Sequence, residues 1–505
     1  MGGNTGRILL TGGTGYIGGR MIALLEATGR PLRVLARDPQ RLRPAHAPRS
    51  FQPRVADSTE VVRGDVTEPA SLHAAMADVD TAYYLIHSLG IADGDLYERE
   101  MTAARNFAAA ARDAGVRRII YLGGLGSGSD TLSSHLASRQ DAGKALCESG
   151  AEVIEFRASV ILGSGSVSFE MVRGLVDRLP IMITPRWVET LTQPIAVEDV
   201  TAYLVAALDK EVTERCTVYE IGGSDRVSYA GMMAAYARSQ GLRRLTLRVP
   251  LLTPRLSAAW LALVTPIYYR IGRHLLDGLR NETVVSNDDA ARAFPDIHPL
   301  GIDAAIARAL ANEDRMYAAT RWSDARSSMP EVGTRKPGRP PRRTGRRWME
   351  QRILDVKCDP EQIFDAVLCI GGENGWYAWS WMWTVRGMVD QLAGGVGIHR
   401  GRRDPVCAIP GDTIDFWRVQ ELEPDRKLLL TAEMRGPGRG WLQFDCLPLP
   451  EGGTRLVQTA TWDPIGLGGH LYWLSLWPVH KLIFGSMIRA IARAGGCELK
   501  ERRRR

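Results

Sequence analysis

The chain has 505 residues, 45% hydrophobic and 24% charged, a globular composition that excludes disordered, collagen-like or disulfide-scaffold proteins. At about 150 residues per domain, two to four domains are expected. The net charge of +7 is local: seven positive charges lie between Arg335 and Arg347, and a net four lie in 500–505. The remainder is mildly acidic, so no folded nucleic-acid groove is expected, and anionic lipid is the alternative contact for the basic segments.

Arg7–Thr11 reads as a short buried strand, which leaves no room ahead of it for a signal peptide. A glycine turn follows and opens a helix that places Ile17, Met21, Leu24 and Leu25 on one face and ends at Gly29. Leu32–Ala36 is the next strand, and Asp38-Pro39 caps a further helix. Strands over 81–86, 118–122 and 153–162 alternate with helical stretches such as 101–114. Repeated β-α units predict an α/β fold with a Rossmann-type, doubly wound parallel sheet.

Ten of the 13 tryptophans fall between Trp348 and Trp477, which marks a second unit. We read 1–328 as the first unit, 329–347 as a Pro/Gly/Arg-rich extended linker and 348–505 as the second. The second unit offers a strand at 351–356, a capped helix at 359–367 and strands at 413–422, 426–434, 441–447 and 455–462. A long helix over 470–494 closes it. This order predicts an α+β domain.

The uncharged apolar stretches 256–269 and 464–480 contain proline and fall short of the ~20 residues that span a bilayer. Contact with a membrane is therefore expected to be peripheral and weak at most. Seven cysteines, odd in number and without C-x-x-C spacing, argue for a reducing, cytoplasmic setting and against structural disulfides. Cys407 and Cys446 have no ligand spacing with histidine, so no metal site is expected.

The turn Thr11-Gly-Gly-Thr-Gly-Tyr-Ile-Gly18 satisfies G-x-G-x-x-G at Gly13, Gly15 and Gly18, and T-G-x-x-G-x-x-G at Gly12, Gly15 and Gly18. Glycine permits a tight turn, close approach of backbone to a pyrophosphate and close packing of helix on strand. The following helix then directs free N–H groups at the phosphates. Gly12, Gly13, Thr14, Gly15, Tyr16, Ile17 and Gly18 are thus candidate cofactor residues. An NAD site would carry Asp or Glu at the end of the second strand; Ala36 stands there, followed by Arg37. Arginine can pair a 2′-phosphate, which favours NADP(H) over NAD(H); stacking on adenine is the alternative role. Asp65, beside Val66, either accepts from the adenine amino group or holds a turn.

With these residues the first unit resembles the atypical short-chain dehydrogenase/reductases, near the NmrA-like group and the NAD(P)H-binding accessory subunit of respiratory complex I. The motifs that carry the resemblance are 11–18, Gly64-Asp-Val66, Tyr84-Leu-Ile-His-Ser88, Arg157-Ala-Ser-Val-Ile-Leu-Gly163 and Gln193-Pro-Ile-Ala-Val-Glu-Asp-Val200. Catalytic members carry a serine at the end of the fifth strand and a Tyr-x-x-x-Lys pair on the next helix. Here the strand ends in Tyr121-Leu-Gly-Gly-Leu125, and the pair falls on His135 and Arg139. His135, with an ordinary pKa of ~6.5, is the candidate proton donor, and Arg139 the candidate holder of the nicotinamide ribose.

The second unit resembles the DUF2867 domain, a member of the Bet v 1-like SRPBCC superfamily with a helix-grip fold. The carrying residues are Gly375-Trp-Tyr377, the glycine- and arginine-rich turn 394–403, 412–419 and Met434-Arg-Gly-Pro-Gly438. The resemblance implies an apolar cavity for a hydrophobic small-molecule ligand; a closed, aromatic-packed core is the alternative. His399, Arg400, Arg402 and Arg403 either bind an anionic group or form a solvated loop. Three functions follow as expectations: NADPH-dependent reduction of an apolar carbonyl or quinone, a catalytically silent NADP(H) sensor or accessory protein, or a lipid or quinone carrier.

Overall fold

The computed structural model describes residues 6–43, 55–86, 96–126, 132–179, 181–249, 281–315, 348–392, 395–397, 402–434, 436–464 and 466–499. The linker 329–347, the stretch 256–269, His399, Arg400 and the basic tail lie outside them, as does the side chain of His135. The described residues form two compact units, one within 6–315 and one within 348–499.

In the first unit, β1 (Arg7–Thr11) leads into α1 (Tyr16–Glu26) and β2 (Leu32–Ala36), then β3 (Glu60–Arg63) and α2 (Pro69–Met76). Next come β4 (Val79–Tyr84), α3 (Leu96–Asp113), β5 (Arg118–Gly124), α4 (Ser134–Cys147) and β6 (Glu152–Ala158). The short strands β7 (Ile161–Leu162), β8 (Ile181–Pro185), β9 (Leu191–Thr192) and β10 (Ile195–Ala196) surround α5 (Val167–Arg178) and precede α6 (Val197–Ala206). Then come β11 (Cys216–Ile221), β12 (Val227–Ser228), α7 (Tyr229–Ser239), β13 (Leu245–Val249), α8 (Asp289–Ala293) and α9 (Ile302–Arg315).

Seven strands form one parallel sheet in the order β11-β6-β5-β4-β1-β2-β3. The direction of winding reverses between β1 and β4, and that switch point opens a crevice at the carboxyl ends of the strands. Both faces of the sheet are covered. Met21, Ile22 and Leu25 of α1 join Val200, Tyr203 and Leu204 of α6 in one core. Leu72, Phe107 and Leu146, from α2, α3 and α4, fill the other. Double burial explains the apolar run Ile8–Leu10 of β1, and the one charge inside β2, Arg33, is buried and donates to Glu60 at 2.8 Å. Two local expectations shift: Leu24 is exposed, with Ile22 inward in its place, and Asp38 caps only a single 3₁₀ turn, accepting from the Gln40 N–H.

The second unit holds β14 (Trp348–Val356), α10 (Pro360–Leu368), α11 (Ser380–Leu392), β15 (Thr413–Ile414) and β16 (Trp417–Glu423). It ends with β17 (Lys427–Ala432), β18 (Gly438–Pro448), β19 (Thr454–Pro464) and α12 (Gly466–Ala494). Its antiparallel sheet runs β14-β19-β18-β17-β16-β15, and α12 packs along β19 and β14. Two cysteine pairs form that the sequence reading argued against: Cys147–Cys216, with Cα atoms 6.0 Å apart, and Cys358–Cys497, at 5.5 Å. An odd count leaves three thiols over and says nothing about partners 69 and 139 residues away. Among the described residues no helix is long and apolar enough to cross a membrane.

Candidate cofactor site

The glycine turn lies at the switch point. Thr11 ties the two central strands there: its hydroxyl donates to the Tyr83 carbonyl at 2.8 Å and accepts from the Leu85 N–H at 3.3 Å. Gly12 has φ +75°, and a Cβ there would lie 2.4 Å from the Leu85 carbonyl oxygen. A Cβ at Gly18 would lie 2.2 Å from the Gly12 carbonyl oxygen, and one at Gly13 would lie 2.6 Å from Val34. The Gly15 N–H closes the turn on the Gly12 carbonyl at 2.8 Å. Side chains at these positions would force the strand, the turn and α1 apart.

The amino end of α1 begins at Gly15, which has no side chain to cap it, and its first turn carries no acid. The helix end therefore keeps its partial positive charge and its N–H groups for an anion. These residues fit a dinucleotide pyrophosphate. Tyr16 plays a different part from its neighbours: a Cβ at Gly163 would come within 2.6 Å of its hydroxyl, and Arg20 lies over its ring at 4.8 Å. Burial raises the tyrosine's pKa. Its side chain locks α1 to the loop after β7, and only its backbone faces the turn. Ile17 packs against the core beside α1.

Arg37 follows β2 and is exposed. In the β2–β3 ladder Ala36 pairs with Arg63, an exposed arginine that the sequence reading passed over. Two cations thus flank the end of β2. Asp65 holds a turn: one carboxylate oxygen accepts from the Thr67 N–H at 3.0 Å and its hydroxyl at 2.8 Å. Val66 points into the core, and its carbonyl accepts from Asn106 at 3.1 Å.

Arg139 reaches the same carboxyl edge from α4. It donates to the Leu122 carbonyl, and to the Ile86 carbonyl at 3.5 Å, with its guanidinium 5.2 Å from the centre of the Tyr121 ring. His135 lies in the first turn of the same helix. Beside them sits a residue that the sequence reading missed. Glu155 is buried in β6 and takes Arg157 at 2.7 Å; burial raises its pKa, opposed first by Arg157. A Cβ at Gly123 would lie 2.7 Å from one Glu155 oxygen, and one at Gly143 would lie 2.3 Å from the other. Opposite charges two residues apart, within a strand that is otherwise apolar after Glu152, were the available signal. Past β6, Ser159, Thr192 and Thr283 form a hydroxyl triangle with sides of 2.6, 2.8 and 2.8 Å.

In the second unit, Trp376 packs with Trp383, Phe416 and Trp417 at centroid distances of 5.1, 6.2 and 6.1 Å. Its indole N–H donates to Asp415 at 2.7 Å. The described half of the arginine-rich turn is spent on the fold. Arg402 is buried and donates to the Leu368, Ile370, Asp404 and Cys407 carbonyls. Arg403 pairs with Asp412 at 2.8 Å. Neither reading of that turn, as anion site or as solvated loop, describes these two side chains. Among the described residues no cluster of His, Cys, Asp or Glu is placed to hold a metal ion.

Residues 12–153 match the family described as NAD(P)H-binding, and 344–487 match the protein of unknown function DUF2867. The chain is 30% identical over 125 residues to a 3-beta-hydroxysteroid dehydrogenase of Mycolicibacterium neoaurum, covering 23% of this chain and 31% of that protein. It thus spans under a third of that relative's length. A ceramide reductase of Caulobacter vibrioides is 26% identical over 279 residues, covering 53% of this chain and 83% of its own. Among solved structures, a triphenylmethane reductase of Citrobacter sp. superposes with a TM-score of 0.49 at 17% identity, over 60% of this chain and 99% of its own. The chain carries an NAD(P)H-binding domain at its N-terminal end and a DUF2867 domain at its C-terminal end.

Proposed function

We propose that the protein is an NADPH-dependent oxidoreductase that reduces an apolar carbonyl or quinone, with the C-terminal unit helping to hold that acceptor. The observation that carries this reading is the uncapped amino end of α1 behind the glycine turn, at the switch point of a parallel sheet. A nicotinamide held there supplies a hydride. The chain's own residues do the rest: the α1 N–H groups hold the pyrophosphate, and Arg37, with Arg63 beside it, pairs with a 2′-phosphate. The second Asp65 oxygen accepts from the adenine amino group. Arg139 fixes the ribose, and His135 gives its proton to the oxygen that gains negative charge.

One observation favours a second reading, a catalytically silent NADP(H) sensor or a carrier. The Glu155 carboxylate lies where a side chain at Gly123 would stand, so a serine at that position would have to displace it. NADPH oxidation against a panel of quinones and apolar ketones separates the two. A positioned acid contributes about a hundred- to ten-thousandfold, so His135→Ala should lose about that in turnover while keeping its cofactor affinity. Arg139→Ala should instead weaken cofactor binding. A quinone, whose oxygens take protons from water, would reduce the histidine effect. No turnover with any acceptor, despite tight NADPH binding, would leave only the sensor or carrier.

A further inference from the structure

Helix α11 is built inside out. Its one acid, Asp390, is 1% exposed and accepts from the Gly397 N–H at 2.9 Å. Gln391 is buried beside it. Its arginine, Arg386, donates inward to the Tyr472 hydroxyl. The solvent side carries Trp381, 61% exposed, with Val385, Met388 and Val389. These positions, spaced i, i+4, i+7 and i+8, form a single stripe on a helix.

Helix α12 shows a second stripe. It buries Trp473, Phe484, Met487 and Ile491, and exposes Leu471 at 58%, Leu474, Leu482 and Trp477. The two helices meet where Arg386 reaches Tyr472, and the Trp379 indole just ahead of α11 donates to Ser486 at 3.0 Å. The stripes thus lie on neighbouring helices of the second unit. The exposed charges on the two helices themselves have one sign. Helix α12 contains no Asp or Glu, and its Lys481, Arg489 and Arg493 are exposed. Lys481 sits 5.9 Å from the centre of the Trp477 ring, and Lys500 and Arg502 to Arg505 follow in the sequence.

We propose that this face docks on an anionic lipid bilayer, with α11 and α12 lying in the interface and not crossing it. An exposed apolar patch of this extent marks a binding surface. Tryptophan favours the boundary between headgroups and acyl chains. Exposed cations with no exposed acid on either helix complement anionic headgroups. The inference goes beyond the reductase reading and stands whether or not turnover is found.

The test is flotation of the full chain with phosphatidylcholine vesicles, with and without phosphatidylglycerol, at low and high salt. The wild type should float with the anionic vesicles and keep part of its binding at high salt, because apolar insertion is not screened. Trp381→Glu with Val389→Glu, and Leu471→Glu with Leu482→Glu, should each lower partitioning by about tenfold or more, with the unfolding midpoint unchanged. Lys481→Glu should weaken binding at low salt only. Should a double variant unfold, quenching of wild-type tryptophan fluorescence by brominated lipid gives the same answer, since the proposal requires Trp381 and Trp477 to be quenched. No flotation, binding abolished by salt alone, or binding indifferent to the glutamates would overturn the proposal. So would self-association that the double variants abolish, which would place a second copy on this face.

Discussion

A methyl group at Gly18 would stand 2.2 Å from the Gly12 carbonyl oxygen, a contact that backbone on both sides cannot relieve. Gly18→Ala should therefore move α1 off the turn and reduce NADPH affinity by on the order of a hundredfold, read by fluorescence titration. Arg37 acts at the other end of the dinucleotide. Losing a charge-assisted bond to a 2′-phosphate costs about 1.5–3 kcal/mol, so Arg37→Ala should weaken NADPH about tenfold or more and NADH little. Equal weakening of both would assign Arg37 to adenine or to the fold. The glycine turn was legible in the sequence because its requirements are local: a strand, four glycines and a helix within 20 residues. The Glu155 nest was not, since Gly123, Gly143 and Glu155 come from β5, α4 and β6 and meet only when those elements pack.

Helix α12 carries His480 among aromatic rings, 4.9 Å from Trp473 and 5.1 Å from Phe484 between ring centres. Burial, with Arg386 as the lesser cause, pulls its pKa down from 6.5 to about 4. The unfolded chain therefore binds a proton between pH 6.5 and 4 that the folded chain refuses. This contribution is present above pH 6.5 and is lost as pH falls to about 4, on the order of 2–3 kcal/mol. Urea unfolding followed by tryptophan fluorescence should show that loss, and His480→Phe should flatten it. A second test concerns the sheet. Arg418 and Glu433 pair at 2.6 Å with both side chains almost wholly buried. Glu433→Ala strands a guanidinium in the interior and should destabilise the second unit by about 3–5 kcal/mol. The strands here were legible from alternation and turn residues. Helix α11 escaped because its polar residues face inward, so its pattern is the reverse of an ordinary surface helix.

The cysteines give a test on the complete chain. Four of the seven form disulfides, and Cys369, Cys407 and Cys446 stand outside them as thiols. Titration of thiols in denatured, unreduced protein should find three, and seven would show that neither bridge forms. The order β-α-β and the glycine turn determined the Rossmann-type parallel sheet and its NAD(P)H-binding class from sequence alone. Each is a contiguous signal set by hydrogen-bonding period or by the conformational needs of single residues. Only the tertiary structure decided which cysteines meet, that the Tyr16 side chain packs at Gly163, and that Arg402 spends its donors on carbonyls. It alone turned the apolar sides of α11 and α12 outward. These outcomes depend on which residues distant in sequence arrive within 3–6 Å. Packing sets such distances, and no local pattern contains them.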